Sequence, residues 1–248
     1  MKKVSIDGSN LKSYCELDIS GSKSESNRIL ILKSIFNNIK IKNLSSSDDT
    51  SILNQSLQNL NEYIDVGHAG TSMRFLTAYL ATLKNKKFII SGSDRMHQRP
   101  IGLLVDALNS LGFKVNYLNK KGFPPLEIIG SKNSHHEVIL KSHVSSQFVS
   151  ALILIAPCLD NGLRITLQND ITSKPYINMT ISILNKIGVD ATFEKNLINV
   201  KPLKKINDIT YEVESDWSSV SYFFSMVALT KNLKLSISNY KKESFQGD

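Results

Sequence analysis

The chain has 248 residues, enough for one large domain or two ordinary ones, and 41% hydrophobic with 21% charged residues excludes a disordered chain. A formal charge of +8 points to anionic partners, but only five of the 30 basic residues are Arg (Arg28, Arg74, Arg95, Arg99 and Arg164), and the lysines lie scattered or in short pairs without interleaved aromatics, which argues against nucleic acid. No apolar run reaches a membrane span, MKKVSIDGSN lacks the apolar stretch of a secretory signal, and Cys15 and Cys158 have no metal-ligand or CxxC spacing, so a reduced, cytoplasmic setting is expected.

In chain order, "SGSKSESNRILIL" (20–32) leads from a small-residue loop into a helix whose face is Ile29, Leu32, Ile35 and Phe36. A second helix follows Ser47–Asp48, with Ile52, Leu53, Leu57 and Leu60 inward, and a third begins near Gly70–Thr71. "KKFIISGS" reads as a strand, Pro100 as the N1 residue of a helix and Gly112 as its C-terminal cap. Strands "FKVNY", "PLEII" and "EVILK" come next, then a helix over 145–156 and the strand "LRITLQ". Pro175 opens another helix that Gly188 closes; two strands, a helix over 218–230 and the strand "LKLSIS" complete the alternating α/β pattern.

The stretches 99–118 and 174–193 share one plan: a cation, Pro, an amphipathic helix, Gly and a strand, at an offset of 75 residues. A repeat of that size is a supersecondary module, which predicts stacked α/β modules.

Five stretches place small or hydroxyl residues with a cation or amide at a helix start: "GSKSESNR", "GHAGTSMR", "DRMHQRP", "SSQF" and "SKPY". A helix start offers unpaired N–H groups and the positive end of the helix dipole, so it attracts anions. Each stretch alone is an ordinary cap. Together, on parallel modules, they predict one lobe that gathers helix N-termini around a polyanionic small molecule.

With "VESDWSSVSYFF" added, these motifs in this order resemble the 5-enolpyruvylshikimate-3-phosphate synthase (3-phosphoshikimate 1-carboxyvinyltransferase) family over nearly the whole chain. The related UDP-N-acetylglucosamine enolpyruvyl transferases carry a reactive Cys in the loop that here reads "SGSDRMHQRP", which has none, and "SSQF" and "SKPY" belong to the shikimate branch. The resemblance implies transfer of the enolpyruvyl group of phosphoenolpyruvate to the 5-hydroxyl of shikimate 3-phosphate, through a tetrahedral ketal and with release of phosphate, without metal or organic cofactor. It implies that Lys23 serves both substrates as the catalytic cation. Ser24, Arg28, Ser145, Ser146, Gln147, Ser173 and Tyr176 fall on shikimate 3-phosphate positions, Arg28 pairing with the carboxylate. Gly70 and Arg99 fall on phosphoenolpyruvate positions, with Lys23 and Gln147 touching both ligands. Asp216 matches an acidic position near the hinge.

Two residues depart from the family pattern. His68 replaces an Asn at the phosphoenolpyruvate end, where the contact bears on affinity for glyphosate, the family's inhibitor; Phe75 replaces a Pro and is expected to reshape the first turn of its helix. His135, His136 and His143 match nothing and read as surface or strand residues.

The family fold implied is α/β, two lobes each of three βαβαββ units in an inside-out α/β barrel, in chains about twice this length. Residues 21–214 are then expected to form the shikimate-3-phosphate-binding lobe, with 1–20 and 215–248 as partial pieces of a second lobe that is largely missing. The family's other acid–base residues would lie beyond Asp248, so the chain itself is expected to bind without turnover, and the full-length enzyme to be a monomer with no nucleic-acid or membrane partner. The alternative is a free-standing module that binds a phosphorylated ligand; the apolar "VESDWSSVSYFFSMVAL", with no second lobe to pack on, speaks against it.

Overall fold

A computed structural model describes residues 13–141, 145–168, 173–230 and 232–246. Its order is β1 (Tyr14–Leu17), α1 (Lys23–Ile35), β2 (Ile39–Lys42), α2 (Asp48–Gln58), β3 (Tyr63–Asp65), α3 (Gly70–Ala81), β4 (Lys87–Ser91), α4 (Gly102–Ser110), β5 (Lys114–Tyr117), β6 (Leu126–Ile129), β7 (Glu137–Leu140), α5 (Ser146–Ile155), β8 (Leu163–Leu167), α6 (Lys174–Lys186), β9 (Ala191–Glu194), β10 (Leu197–Val200), β11 (Ile209–Glu212), α7 (Trp217–Leu229) and β12 (Lys234–Ile237).

The predicted modules are two βαβαββ units of identical topology. In the first, the sheet order is β3-β4-β6-β5; in the second it is β7-β8-β10-β9, and in both the outer pair is parallel and the remaining pairs antiparallel. The repeat extends to side chains. Asn109 at the end of α4 clamps Val115 of β5, donating to its carbonyl at 3.0 Å and accepting from its N–H at 2.9 Å. Asn185 clamps Ala191 of β9 in the same way, both bonds being 3.0 Å. The turn between helix and strand passes through Gly112 (φ 94°) and Gly188 (φ 95°), a backbone region where a side chain is strained.

A third unit is assembled from the two ends of the chain. β11 pairs in parallel with β2, from Ile209 opposite Ile39 to Glu212 opposite Lys42, and α1 and α2 complete it; among the described residues its sheet has two strands. Where the chain passes into and out of these units, Ser22 N–H donates to the Glu214 carbonyl at 2.8 Å and Gly21 bridges Ser215. The buried Glu25 carboxylate ties the crossing down by accepting from Tyr211 Oη and, at 3.1 Å, from Glu214 N–H; burial pushes the Glu25 carboxyl and the Tyr211 phenol up. β1 and β12 pair in parallel outside the three units, beside α7, which leaves Tyr222, Phe224, Met226 and Leu229 exposed.

α1, α3 and α5 pack against one another at the centre. α5 is apolar almost all round, the pattern of a helix with no solvent side. In α3 every residue but Thr71 is buried, and in α5 every residue but Gln147. Both exceptions lie in the first turn, so the inner helices are accessible at their N-terminal ends.

Several elements differ from expectation. β1, β2, β3 and β11 are three- or four-residue strands, too short for their alternation to stand out in the sequence. α4 begins at Gly102 rather than at Pro100. A 3₁₀ turn over Met96–Gln98 precedes it, and Arg99 is extended (φ −93°, ψ 123°), as the clash of a following proline ring requires.

Candidate functional site

The inner helices open onto a cleft of about 760 Å³. Lys23, Ser24 and Arg28 reach it from α1, Thr71 from α3, Ser145, Ser146 and Gln147 from the start of α5, and Ser173 and Tyr176 from the start of α6. Eight of the ten residues that the resemblance assigns to ligands therefore line one cavity, and Asp216 lines it with them. Gln147 Nε2 donates to Thr71 Oγ1 at 3.4 Å, joining the α3 and α5 termini across it. The N-termini of several helices converging on one hollow make a field that favours anions.

Local sequence explains each terminus. Ser22 caps α1 by accepting from Glu25 N–H at 3.4 Å, which places Lys23 and Ser24 in the first turn. Ser145 caps α5 by accepting from Gln147 N–H at 3.3 Å; its hydroxyl acts there as acceptor, so its proton is available to a ligand. Ser173 occupies the cap position of α6 without a side-chain cap bond. Lys23 is half-exposed, with its Nζ 3.9 Å from Asp49, a loose pair that leaves the charge to the cleft. Asp216 caps α7 by accepting from Ser219 N–H at 2.7 Å and also receives Lys23 N–H at 3.4 Å, so this acid ties the starts of α1 and α7 together as well as lining the cleft.

Arg28 is of a different kind. It is only 2% exposed, yet it reaches the cleft wall. Nε donates to Thr180 Oγ1 at 2.7 Å, Nη1 to the Ser24 carbonyl at 2.7 Å, and Nη2 to Ser150 Oγ at 3.1 Å and the Tyr176 carbonyl at 3.2 Å. All four acceptors are neutral, and no carboxylate among the described residues forms an ion pair with it. Burial pushes the guanidinium down to about 10, still far above neutral pH, so the charge persists. Glu25 acts on this charge only at a distance, and a buried cation whose hydrogen-bond acceptors are all neutral is costly unless something anionic completes it.

Gly70 and Arg99 meet as expected, but not in this cleft. The Arg99 guanidinium lies where a side chain on residue 70 would project: a Cβ there would stand 2.2 Å from Nη1. Arg99 lines a second pocket of about 390 Å³ with His68, Ser93, Arg95 and Met96. Arg74 lies buried beneath it, donating to the Gly70 carbonyl at 2.7 Å; burial, and then the neighbouring Arg99 charge, push it down to about 10. The residues assigned by sequence thus divide between two pockets, both cationic, with Gly70 against the Arg99 that lines the second.

Phe75 does not reshape the first turn of α3. The helix runs unbroken from Gly70, and Phe75 lies in its second turn, buried, with its ring facing Arg28. His135 and His136 are exposed, and His143 lies outside the described residues. Sequence reading missed Ser20, Ser45, Ser46, Ser218 and Ser219 as lining residues, and Ser150 and Thr180 as partners of Arg28. "SSSDD" at the start of α2 has the hydroxyl run of the recognised motifs but two acids in place of their cation or amide, so the same signature could not find it.

The family model described as EPSP synthase (3-phosphoshikimate 1-carboxyvinyltransferase) matches residues 61–248. The chain belongs to the EPSP synthase family. It is similar to the 3-phosphoshikimate 1-carboxyvinyltransferase of Bacteroides fragilis strain YCH46, 40% identical over 233 residues, which cover 94% of this chain and 57% of that relative. The enzyme of the same name from Buchnera aphidicola subsp. Cinara cedri is 35% identical over 263 residues, 94% of this chain and 60% of its own. The structure of EPSP synthase from Acinetobacter baumannii superimposes with a TM-score of 0.76 at 20% identity, covering 93% of this chain and 56% of that one, which shows a shared fold. The chain therefore spans little more than half the length of these EPSP synthases. Among the described residues no helix is long and apolar enough to cross a membrane.

Proposed function

We propose that the protein carrying this chain transfers the enolpyruvyl group of phosphoenolpyruvate to the 5-hydroxyl of shikimate 3-phosphate, a step of the shikimate pathway towards chorismate and the aromatic amino acids. Residues 21–214 form the shikimate-3-phosphate lobe in this reading, while 1–20 and 215–248 belong to a second lobe; the side-by-side crossing at Gly21–Ser22 and Glu214–Ser215 supports that boundary. One observation carries the proposal: Arg28 is a buried guanidinium that lacks a carboxylate partner and borders a cleft ringed by helix N-termini. Shikimate 3-phosphate supplies the missing anion twice, its carboxylate to Arg28 and its phosphate to the hydroxyls and amides of Ser145, Ser146 and Ser173. Lys23, a point charge on a flexible stem, serves both substrates as the catalytic cation, and Gln147 spans the two ends. Phosphoenolpyruvate lies toward Gly70 and Arg99, where a backbone N–H and a cationic fork can hold its phosphate.

The described titratable residues lining the main cleft are Lys23, Arg28, Tyr176 and Asp216, of which Asp216 is engaged as a cap. General acid and base groups contribute about 10²–10⁴-fold each, so this chain alone binds shikimate 3-phosphate without turnover, and its place is in a soluble monomeric enzyme of the cytoplasm. Titration calorimetry with shikimate 3-phosphate, beside a phosphate-release assay with both substrates, tests this reading. Saturable binding with no release above background is expected; absence of binding by the natural full-length protein overturns the proposed function, and turnover by the 248-residue chain overturns the reading that it binds without turnover.

A further inference from the structure

Arg28 rests on a surface that the fold supplies before any ligand arrives. Phe75 is 1% exposed, and its ring centroid lies 5.5 Å from Arg28 Cζ; the Tyr176 ring lies 5.9 Å from the same atom. The four hydrogen bonds of the guanidinium satisfy at most four of its five N–H groups and bring no negative charge. A ring face does bring electron density. A desolvated guanidinium is attracted to an aromatic face, and the Phe75 ring backs the guanidinium on the side that the hydrogen bonds leave bare of charge. The arrangement recurs one helix further on, where Arg74 of α3 stands 5.8 Å from the Phe148 ring of α5. Phe75 lines neither pocket, so whatever it does for a ligand it does through Arg28.

We propose that Phe75 is a positioning residue whose ring holds the Arg28 guanidinium in the plane that presents its remaining N–H to the carboxylate of the bound substrate. The proposal rests on the reading of the cleft as the shikimate 3-phosphate site. Without the ring, hydrogen bonds at Nε, Nη1 and Nη2 still anchor the guanidinium, but the wall behind it and the electron-rich face are gone, so the free N–H is held less firmly and the ligand must complete its ordering on binding. The loss therefore falls on affinity for the anion at this end, and the phosphoenolpyruvate pocket is unaffected.

The experiment is calorimetric titration of the natural full-length protein with shikimate 3-phosphate, in four variants. Phe75→Leu keeps apolar bulk without a ring, and Phe75→Tyr keeps the ring. Pentafluorophenylalanine introduced at position 75 keeps shape and burial while reversing the sign of the ring face, so its result does not depend on Phe75→Leu folding. Arg28→Lys checks the underlying reading. About tenfold weaker binding is expected for Phe75→Leu and for the fluorinated ring, within about twofold of wild type for Phe75→Tyr, with the fluorinated protein still unfolding cooperatively at a somewhat lower melting temperature. Wild-type affinity in the fluorinated protein, while Arg28→Lys binds weakly, overturns the role of Phe75 and leaves the site standing. Wild-type affinity in Arg28→Lys overturns the site itself and the role of Phe75 with it.

Discussion

The two cationic ends of the site are built on opposite principles. At one end Arg28 is buried, four-fold hydrogen-bonded to neutral acceptors and flanked by two rings. At the other, Arg99 is partly exposed beside Arg95 and His68, both exposed, and rests against the Cα of Gly70. The first end is ordered during folding, when the cost of desolvating the charge is met by the packing of α1, α3, α5 and α6. The second keeps Arg95 and Arg99 in contact with water, above a buried Arg74 that donates to the Gly70 carbonyl. Pre-organisation gives affinity because less freedom is lost on binding. Accordingly, shikimate 3-phosphate should bind first and more tightly, and phosphoenolpyruvate weakly at an end still open to water.

Breaking the buried end should have the largest effect. Arg28→Ala removes a charge-assisted pair worth about 1.5–3 kcal/mol, so affinity for shikimate 3-phosphate is expected to fall about 10–150-fold in calorimetry. The fold is expected to survive, because removal of an uncompensated buried charge offsets the lost bonds to Thr180 and Ser150. A collapse of the melting transition in Arg28→Ala would show instead that the guanidinium is a structural post and not a ligand-binding group.

Gly70→Ala should act at the open end alone. The added Cβ would meet the far end of a flexible side chain, so Arg99 can move aside at little cost in stability. The expected result is an unchanged melting temperature, a rise of about tenfold in KM for phosphoenolpyruvate, and shikimate 3-phosphate binding within about twofold of wild type. Equal losses for both ligands would mean that the two pockets are not separate in function.

His68→Asn is the smallest expected change. His68 is exposed on the wall of the second pocket, where single polar contacts are worth about 1 kcal/mol or less, so KM for phosphoenolpyruvate should shift by a few-fold and that for shikimate 3-phosphate should not move. An effect confined to shikimate 3-phosphate would place His68 at the wrong end of the site.

Much of this molecule could be read from the chain before it folds. Ser22 and Ser145 cap helices because a hydroxyl there satisfies N–H groups that no other turn can reach. Gly112 and Gly188 mark helix ends because a positive φ suits no other residue as well. Such features depend on a few neighbouring residues, and the order of the helix-start motifs was enough to indicate both the family and the eight residues that share the main cleft. Tertiary structure alone decided the rest. The pairing of β2 with β11 spans about 170 residues, and no local pattern announces it. The burial of Arg28, the identity of its neutral partners on α5 and α6, and the ring of Phe75 beneath it depend on three helices meeting at one point. The separation of Arg99 from the main cleft follows from the extended backbone before Pro100 and from the bare Cα of Gly70. Propensity and capping act over one turn of chain, whereas desolvation and packing act only between segments already brought together, so the sequence by itself determined which helix starts carry the cleft's polar residues and the assembled lobe decided how firmly each cation is held.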